Sequence, residues 1–165
     1  TINDYFQIFK KIKNKNPAIR LSSDFIIGYP GETKNDFQET LKLVEKIGFI
    51  NSFSFIFSPR PGTAASNLKL IDKKTSLQRL EKIQRQLFEN QIKMNKQLEN
   101  REIDVLVENK TFESTKFFGR SKYMTPVIFD GNKDDVGSIV KVKINYSNQT
   151  TLFGESLSNS EQRVA

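Results

Sequence analysis

The sequence predicts an α/β unit with parallel strands, followed by an all-β unit that closes as a small barrel. Three observations predict it. Two short apolar strands flank one amphipathic helix with turn residues on both sides, the pattern of a βαβ unit. The apolar period changes from helical to alternating after Arg101. Short alternating segments then follow one another to about residue 157, separated by glycines and polar turns, as expected for a closed barrel of OB-like type.

Each element follows from local pattern. Ile2, Tyr5, Phe6, Phe9 and Ile12 recur at helical spacing, and Lys10, Lys11, Lys13 and Lys15 suit the negative end of a helix over residues 1–15. Asn16-Pro17 breaks it. Residues 22–28 read as a strand ending in Tyr29-Pro30-Gly31, a turn. Thr33 is expected as the N-cap of the next helix, with Asp36 completing a capping box. Phe37, Leu41 and Val44 form one apolar stripe, Thr40, Leu43 and Ile47 a neighbouring one, and Gly48 closes the helix. Residues 52–58 form the second strand, stopped by Pro59-Arg60-Pro61-Gly62.

Alternation puts Phe53, Phe55 and Phe57 on one face of that strand and Ser52, Ser54, Ile56 and Ser58 on the other. Helices need an apolar surface, so the Phe face is expected to meet them and the Ser face to line a pocket. Asp24, Ile26 and Gly28 share a face of the first strand, and an acid there requires that face to be polar or wet.

Residues 73–99 read as a long helix with Leu77, Leu80, Ile83, Leu87 and Leu98 on its apolar side and Phe88 and Ile92 beside it. Thr75 with Gln78, or Asp72, would cap it. Strands are expected at 103–108, 117–122, 125–129, 138–145 and 151–155, punctuated by Gly119, Gly131 and Gly137, and residues 158–165 as a polar tail. The expected domains are therefore 1–72, a linking helix 73–99, the β domain 100–157 and the tail.

Composition narrows the chemistry. The chain has no Cys and no His, which excludes disulfides, thiolate metal sites, cysteine-held iron–sulfur clusters and imidazole catalysis by its own residues. Absence of Cys fits a cytoplasmic location. No apolar run approaches the roughly 20 residues of a membrane span, so no membrane partner is expected. A chain opening on Thr1 without Met is expected to be a piece of a longer one. The net charge is +7, and residues 1–100 carry all of it, with 17 Lys and Arg against 10 Asp and Glu; residues 101–157 carry eight of each. A polyanionic partner is consistent with this, as are lysines that merely solvate helix faces.

Several stretches resemble one family. Asp24-Phe25-Ile26-Ile27-Gly28-Tyr29-Pro30-Gly31-Glu32-Thr33 and Ser54-Phe55-Ile56-Phe57-Ser58-Pro59-Arg60-Pro61-Gly62-Thr63-Ala64 resemble two strand-and-turn elements of the radical S-adenosylmethionine (SAM) methylthiotransferases. Leu106-Val107-Glu108, Phe118-Gly119-Arg120-Ser121, Val127-Ile128-Phe129, the run from Ile139 to Ile144 and Thr151-Leu152-Phe153-Gly154-Glu155 resemble that family's C-terminal TRAM domain. The likeness runs in order from about residue 1 to residue 157. It implies the C-terminal βα units of a partial TIM-like radical SAM barrel, the linking helix and a TRAM barrel. Phe57 stands where the family often has Tyr, and the family's two cysteine triplets are missing. The resemblance therefore implies SAM and two [4Fe–4S] clusters in a longer enzyme, with the cluster ligands outside this chain.

Arg60 is similar to the arginine of the branch that acts on tRNA, where relatives that modify a ribosomal protein tend to have an acid. The implied reaction is methylthiolation at C2 of N6-isopentenyladenosine beside the anticodon. The implied partners are the tRNA anticodon stem-loop and an electron donor, and a monomer is expected. An RNA-binding module or a ribosomal-protein methylthiotransferase is the alternative. The resemblance implies that Gly28 to Glu32, with Gly28, Pro30, Gly31 and Glu32 foremost, contact SAM, mainly by backbone and shape; Asp24, Ser58 and Arg60 are further candidate contacts, Asp24 to a SAM or substrate hydroxyl. Glycines allow close backbone approach, and the Arg60 fork suits a SAM carboxylate or an RNA phosphate. Plainer roles compete: Pro30-Gly31 as a simple turn, Arg60 as a surface residue, Asp24 as partner to a Lys or Arg, Glu32 as a helix cap. In the β domain, Lys116, Arg120, Lys122, Lys141 and Lys143 are candidate phosphate contacts, with Lys141 and Lys143 exposed on one strand face. Phe117 or Tyr123 is expected to stack on a base. Solvated lysines and core aromatics are the alternative.

Overall fold

The computed structural model describes residues 2–113 and 115–157; the expected tail at 158–165 lies outside the described residues. Contacts divide the chain into two units, Thr1–Asn90 and Gln91–Ala165. The boundary falls inside a long helix, α3 (Lys73–Lys96), whose first part packs with the first unit and whose last part packs with the second.

In the first unit, α1 (Ile2–Lys15) precedes strand β1 (Asp24–Ile27), α2 (Lys34–Ile47) and strand β2 (Phe53–Ile56). The two strands pair in parallel, with Asp24 opposite Phe53 and Ile27 opposite Ile56. Thr33 caps α2: its hydroxyl accepts from Asp36 N, and Asp36 returns the bond by accepting from Thr33 N at 2.9 Å. Gly48 ends the helix in the left-handed region, at φ 70°. The core joins Phe25 and Ile27 of β1, Phe37, Val44 and Ile47 of α2, Phe49, and Ile83 and Leu87 of α3.

That core corrects the expected faces of β2. Parallel pairing in register puts Ser54 and Ile56 on the side of Phe25 and Ile27, where the helices pack. Phe53 and Phe55 lie on the opposite side with Asp24 and Ile26, and they are 64% and 53% exposed. The apolarity of β2 taken alone suggested the reverse. The deciding factor is β1, whose two larger buried side chains fix the sheet's inner face.

The buried side of α3 also differs from the apolar stripe. Ser76, Ile83, Leu87, Asn90, Gln91, Met94 and Asn95 are buried, while Leu77 and Phe88 are exposed. Polar residues are tolerated there because they are bonded: Asn90 Nδ2 donates to Val44 O at 3.0 Å, and Asn95 Nδ2 donates to Asn148 O and Gln149 O at 3.1 and 3.2 Å. The N-cap is Asp72, which accepts from Thr75 N at 2.8 Å and Lys74 N at 3.2 Å.

The second unit is a closed barrel of β3 (Glu102–Lys110), β4 (Lys116–Ser121), β5 (Pro126–Asp130), β6 (Ile139–Ser147) and β7 (Leu152–Ser156), in the order β3-β4-β5-β7-β6. β6 closes back on β3, and β7 runs parallel to β5 but antiparallel to β6. Val105, Val107, Phe117, Val127, Phe129, Val142, Ile144 and Leu152 fill the interior. Gly119 is not punctuation. It lies within β4, where a Cβ would run into the carbonyl oxygen of Leu106 on β3; Gly154 on β7 has the same relation to Lys143 on β6.

Candidate functional site

In the first unit, the expected ligand residues other than Asp24 gather at the C-terminal ends of β1 and β2. In parallel α/β sheets ligands sit beyond those ends. The tips lie side by side: Phe57 N donates to Ile27 O at 2.8 Å, and the Tyr29 ring meets Phe57 edge-on at 5.0 Å between centroids. The β1 tip is a tight turn in which Glu32 N donates to Tyr29 O at 2.9 Å and Gly31 takes φ 90°. Gly28, at φ 74°, and Pro30 are buried, whereas Tyr29 and Gly31 are exposed.

Glu32 neither caps α2 nor leaves its carboxylate open. Its Oε2 accepts from Gly28 N at 2.9 Å and from Arg79 Nη1 at 2.6 Å. The β2 tip contributes a cleft of about 480 Å³ lined by Ile26, Phe55, Ile56, Phe57, Ser58, Arg60, Thr63 and Ala65. Of the expected ligand residues, Ser58 and Arg60 belong to this lining; Gly28, Pro30, Gly31 and Glu32 do not. Asp24 lies exposed on the same sheet face as Ile26, at the far end of β1 from the turn. The lining is mostly apolar, with the hydroxyl residues Ser58 and Thr63 and the guanidinium of Arg60, a composition suited to a nucleoside-sized ligand with a charged end.

In the barrel, each of three candidate cations holds an acid. Lys116 pairs with Asp130 at 2.8 Å, Arg120 with Glu108 at 3.0 Å and Lys141 with Asp104 at 3.0 Å. The Lys116 ammonium is held above its usual range, first by its hydrogen bond to Asp130. Lys143 sits across from Glu102 on β3 and Glu155 on β7, and Lys122 lies over the Tyr123 ring. Phe117 does not face solvent: it is a core side chain packed near Phe129, which corrects the expectation that it stacks on a base.

The aromatic surface lies elsewhere. Tyr146 and Phe153 stack at 4.6 Å with their planes 7° apart, and Tyr146 is 57% exposed. In the registers Phe153 lies opposite Ile128, and Ile128 opposite Phe118, so one row of apolar side chains crosses four strands of the outer surface. The guanidinium of Arg120 sits 5.4 Å from the centre of the Phe118 ring at one end of that row.

Sequence reasoning missed Tyr146 because strict alternation from Val142 and Ile144 turns it inward. The register shift between Ile144 and Tyr146 reverses its direction. It missed Arg79 and Ser76 because nothing local distinguishes them on a helix rich in charged residues.

The TRAM domain family model matches residues 96–157. The chain is similar to the tRNA-2-methylthio-N(6)-dimethylallyladenosine synthase of Pelagibacter ubique, 56% identical over 165 residues, covering 100% of this chain and 37% of that protein. It is also similar to the synthases of that name from Anaplasma phagocytophilum, at 39% over 97% of the chain, and Bartonella bacilliformis, at 35% over 92%. The chain thus spans little more than a third of the length of these relatives, 33% to 37%.

Proposed function

This chain is a homologue of the C-terminal part of the tRNA methylthiotransferases, and on that premise we propose that it completes a SAM site and grips tRNA within a longer enzyme. The reaction is methylthiolation at C2 of N6-isopentenyladenosine beside the anticodon, carried out in the cytoplasm. The domains are the C-terminal part of a radical SAM barrel at 1–72, a linking helix at 73–99 and a TRAM domain at 100–157. The observation that carries the reading is the adjacency of the two strand tips beside a cleft lined by Ser58 and Arg60.

This chain's own residues would bind and orient. Ile26, Phe55 and Phe57 offer an apolar wall to a base, and the Arg60 fork would take a carboxylate or phosphate. Asp24, on the same open face, would accept from a hydroxyl, while Gly28, Pro30 and Gly31 would shape the backbone around the ligand. When bound, SAM supplies the methyl group and the radical that starts the reaction. With no Cys or His in the chain, and no group of three or more metal-ligating side chains among the described residues, the residues present do not fit an iron–sulfur cluster. Those clusters, and the electron donor that reduces them, would be served by the rest of the enzyme.

On the barrel, Tyr146 and Phe153 would stack on an unpaired base, a contact that tolerates a neutral surface. RNA phosphates would compete with Asp130, Glu108 and Asp104 for Lys116, Arg120 and Lys141, alongside Lys122 and Lys143. The test is tRNA binding and modification by the full-length enzyme carrying Tyr146→Ala with Phe153→Ala. Loss of about tenfold or more in tRNA affinity, with SAM affinity unchanged, is the expected result, since one stacked base contributes roughly 1–3 kcal/mol. Unchanged tRNA affinity in that double variant would rule out the stacking surface. Activity on a ribosomal protein with none on tRNA would overturn the substrate.

A further inference from the structure

We infer that Arg79 and Ser76, on the first turns of α3, are positioning residues for the ligand-facing turn at 28–32, acting through Glu32 and Gly28. The inference rests on the SAM-site reading above. Glu32 is the centre of the arrangement. One carboxylate oxygen accepts from the Gly28 N–H, which closes the turn on itself, and from Arg79 Nη1. The same Nη1 donates to the Glu32 backbone carbonyl at 3.0 Å, so Arg79 holds this residue by both main chain and side chain. Both side chains are only 12% exposed, and the guanidinium also lies over the Phe37 ring at 5.5 Å.

Ser76 backs the other side of the turn. It is buried, and a Cβ added to Gly28 would lie 2.6 Å from its hydroxyl oxygen. Within the turn, the Glu32 N–H bond to Tyr29 O and the ring of Pro30 fix only part of its shape. Gly28 and Gly31 both sit at positive φ, and nothing lies within 4 Å of where a Gly31 side chain would be. Two glycines in five residues make a flexible segment unless something outside it restrains it. Arg79 and Ser76 supply that restraint from α3. Because the Gly28 N–H and the Glu32 carboxylate are used within the clamp, the turn would meet a ligand by shape, through Tyr29 and the exposed backbone at Gly31.

The experiment uses the full-length enzyme and measures SAM affinity by equilibrium dialysis, together with KM for SAM, kcat at saturating SAM, tRNA affinity and melting temperature. Arg79→Met is expected to weaken SAM binding about tenfold or more and raise KM for SAM, with kcat at saturating SAM and tRNA affinity held. Glu32→Gln keeps an acceptor for Gly28, and Arg79→Lys keeps a cation. Both should fall between wild type and Arg79→Met, and they keep the question answerable if Arg79→Met fails to fold. Ser58→Trp, which fills the cleft without touching the clamp, tests the SAM site itself. If Ser58→Trp weakens SAM binding while the three clamp variants do not, the positioning role is wrong and the SAM site stands. If neither Ser58→Trp nor the clamp variants change SAM affinity, the SAM site falls and the inference with it. A clamp effect confined to melting temperature would reduce Arg79 to a purely structural residue.

Discussion

Gly119 and Gly154 are each pressed against a neighbouring strand's carbonyl, with no room for a Cβ. Gly119→Ala should therefore destabilise the barrel by about 1–3 kcal/mol, the range for overpacking an interior, read as a lower melting temperature of the β-sheet signal. Gly137→Ala is the control on space, since nothing lies near its would-be Cβ; its positive φ alone should cost less, about 1 kcal/mol. At this scale the sequence was legible where a residue's role is local. Thr33, Asp36 and Gly48 announce their caps by spacing alone. Roles that depend on a distant neighbour were not. Glu32 carries no sign that Arg79 waits 47 positions away, and Phe117 looks the same whether it faces solvent or core.

Helix α2 depends on its cap, and the cap depends on a charge. The Asp36 carboxyl is held below its usual range, first by the Thr33 backbone N–H and then by the Thr33 hydroxyl. A depressed carboxylate contributes its stability at pH values above the unfolded-state pKa, near 3.9 for Asp. That contribution is lost as pH falls through the lower folded value. Thr33→Ala should cost about 1 kcal/mol at neutral pH, and the difference from wild type should shrink in an acid titration followed by circular dichroism below about pH 4. In β2 the inverted faces give a second outcome. Phe55→Ser should leave the melting temperature nearly unchanged and lower the binding of an apolar dye, whereas Phe25→Ser should unfold the first unit. Period and turn residues made β2 visible as a strand. Its orientation was not, because a four-residue segment does not say which face its partner buries.

The two units have separate interiors, one built on a parallel strand pair and three helices, the other on a closed barrel. A fragment of residues 91–165 should therefore give a β-rich spectrum and a single cooperative melting transition; a broad, featureless melt would contradict it. The change of period falls at Arg101, whereas contacts divide the chain between Asn90 and Gln91, inside α3, the element that was harder to place. Its buried face includes Ser76, Asn90, Gln91 and Asn95, which an apolar stripe passes over, so Leu77 and Phe88 were expected in their place. The barrel order has one more consequence, in the course of synthesis. The strand between β5 and β6 is β7, the last to leave the ribosome. Until residues 152–156 emerge, two strands wait with unpaired backbone edges, the kind that recruit other chains. A premature stop just before Leu152 would thus release an open, sticky sheet, and quality-control proteases rather than a shortened working domain would decide its fate.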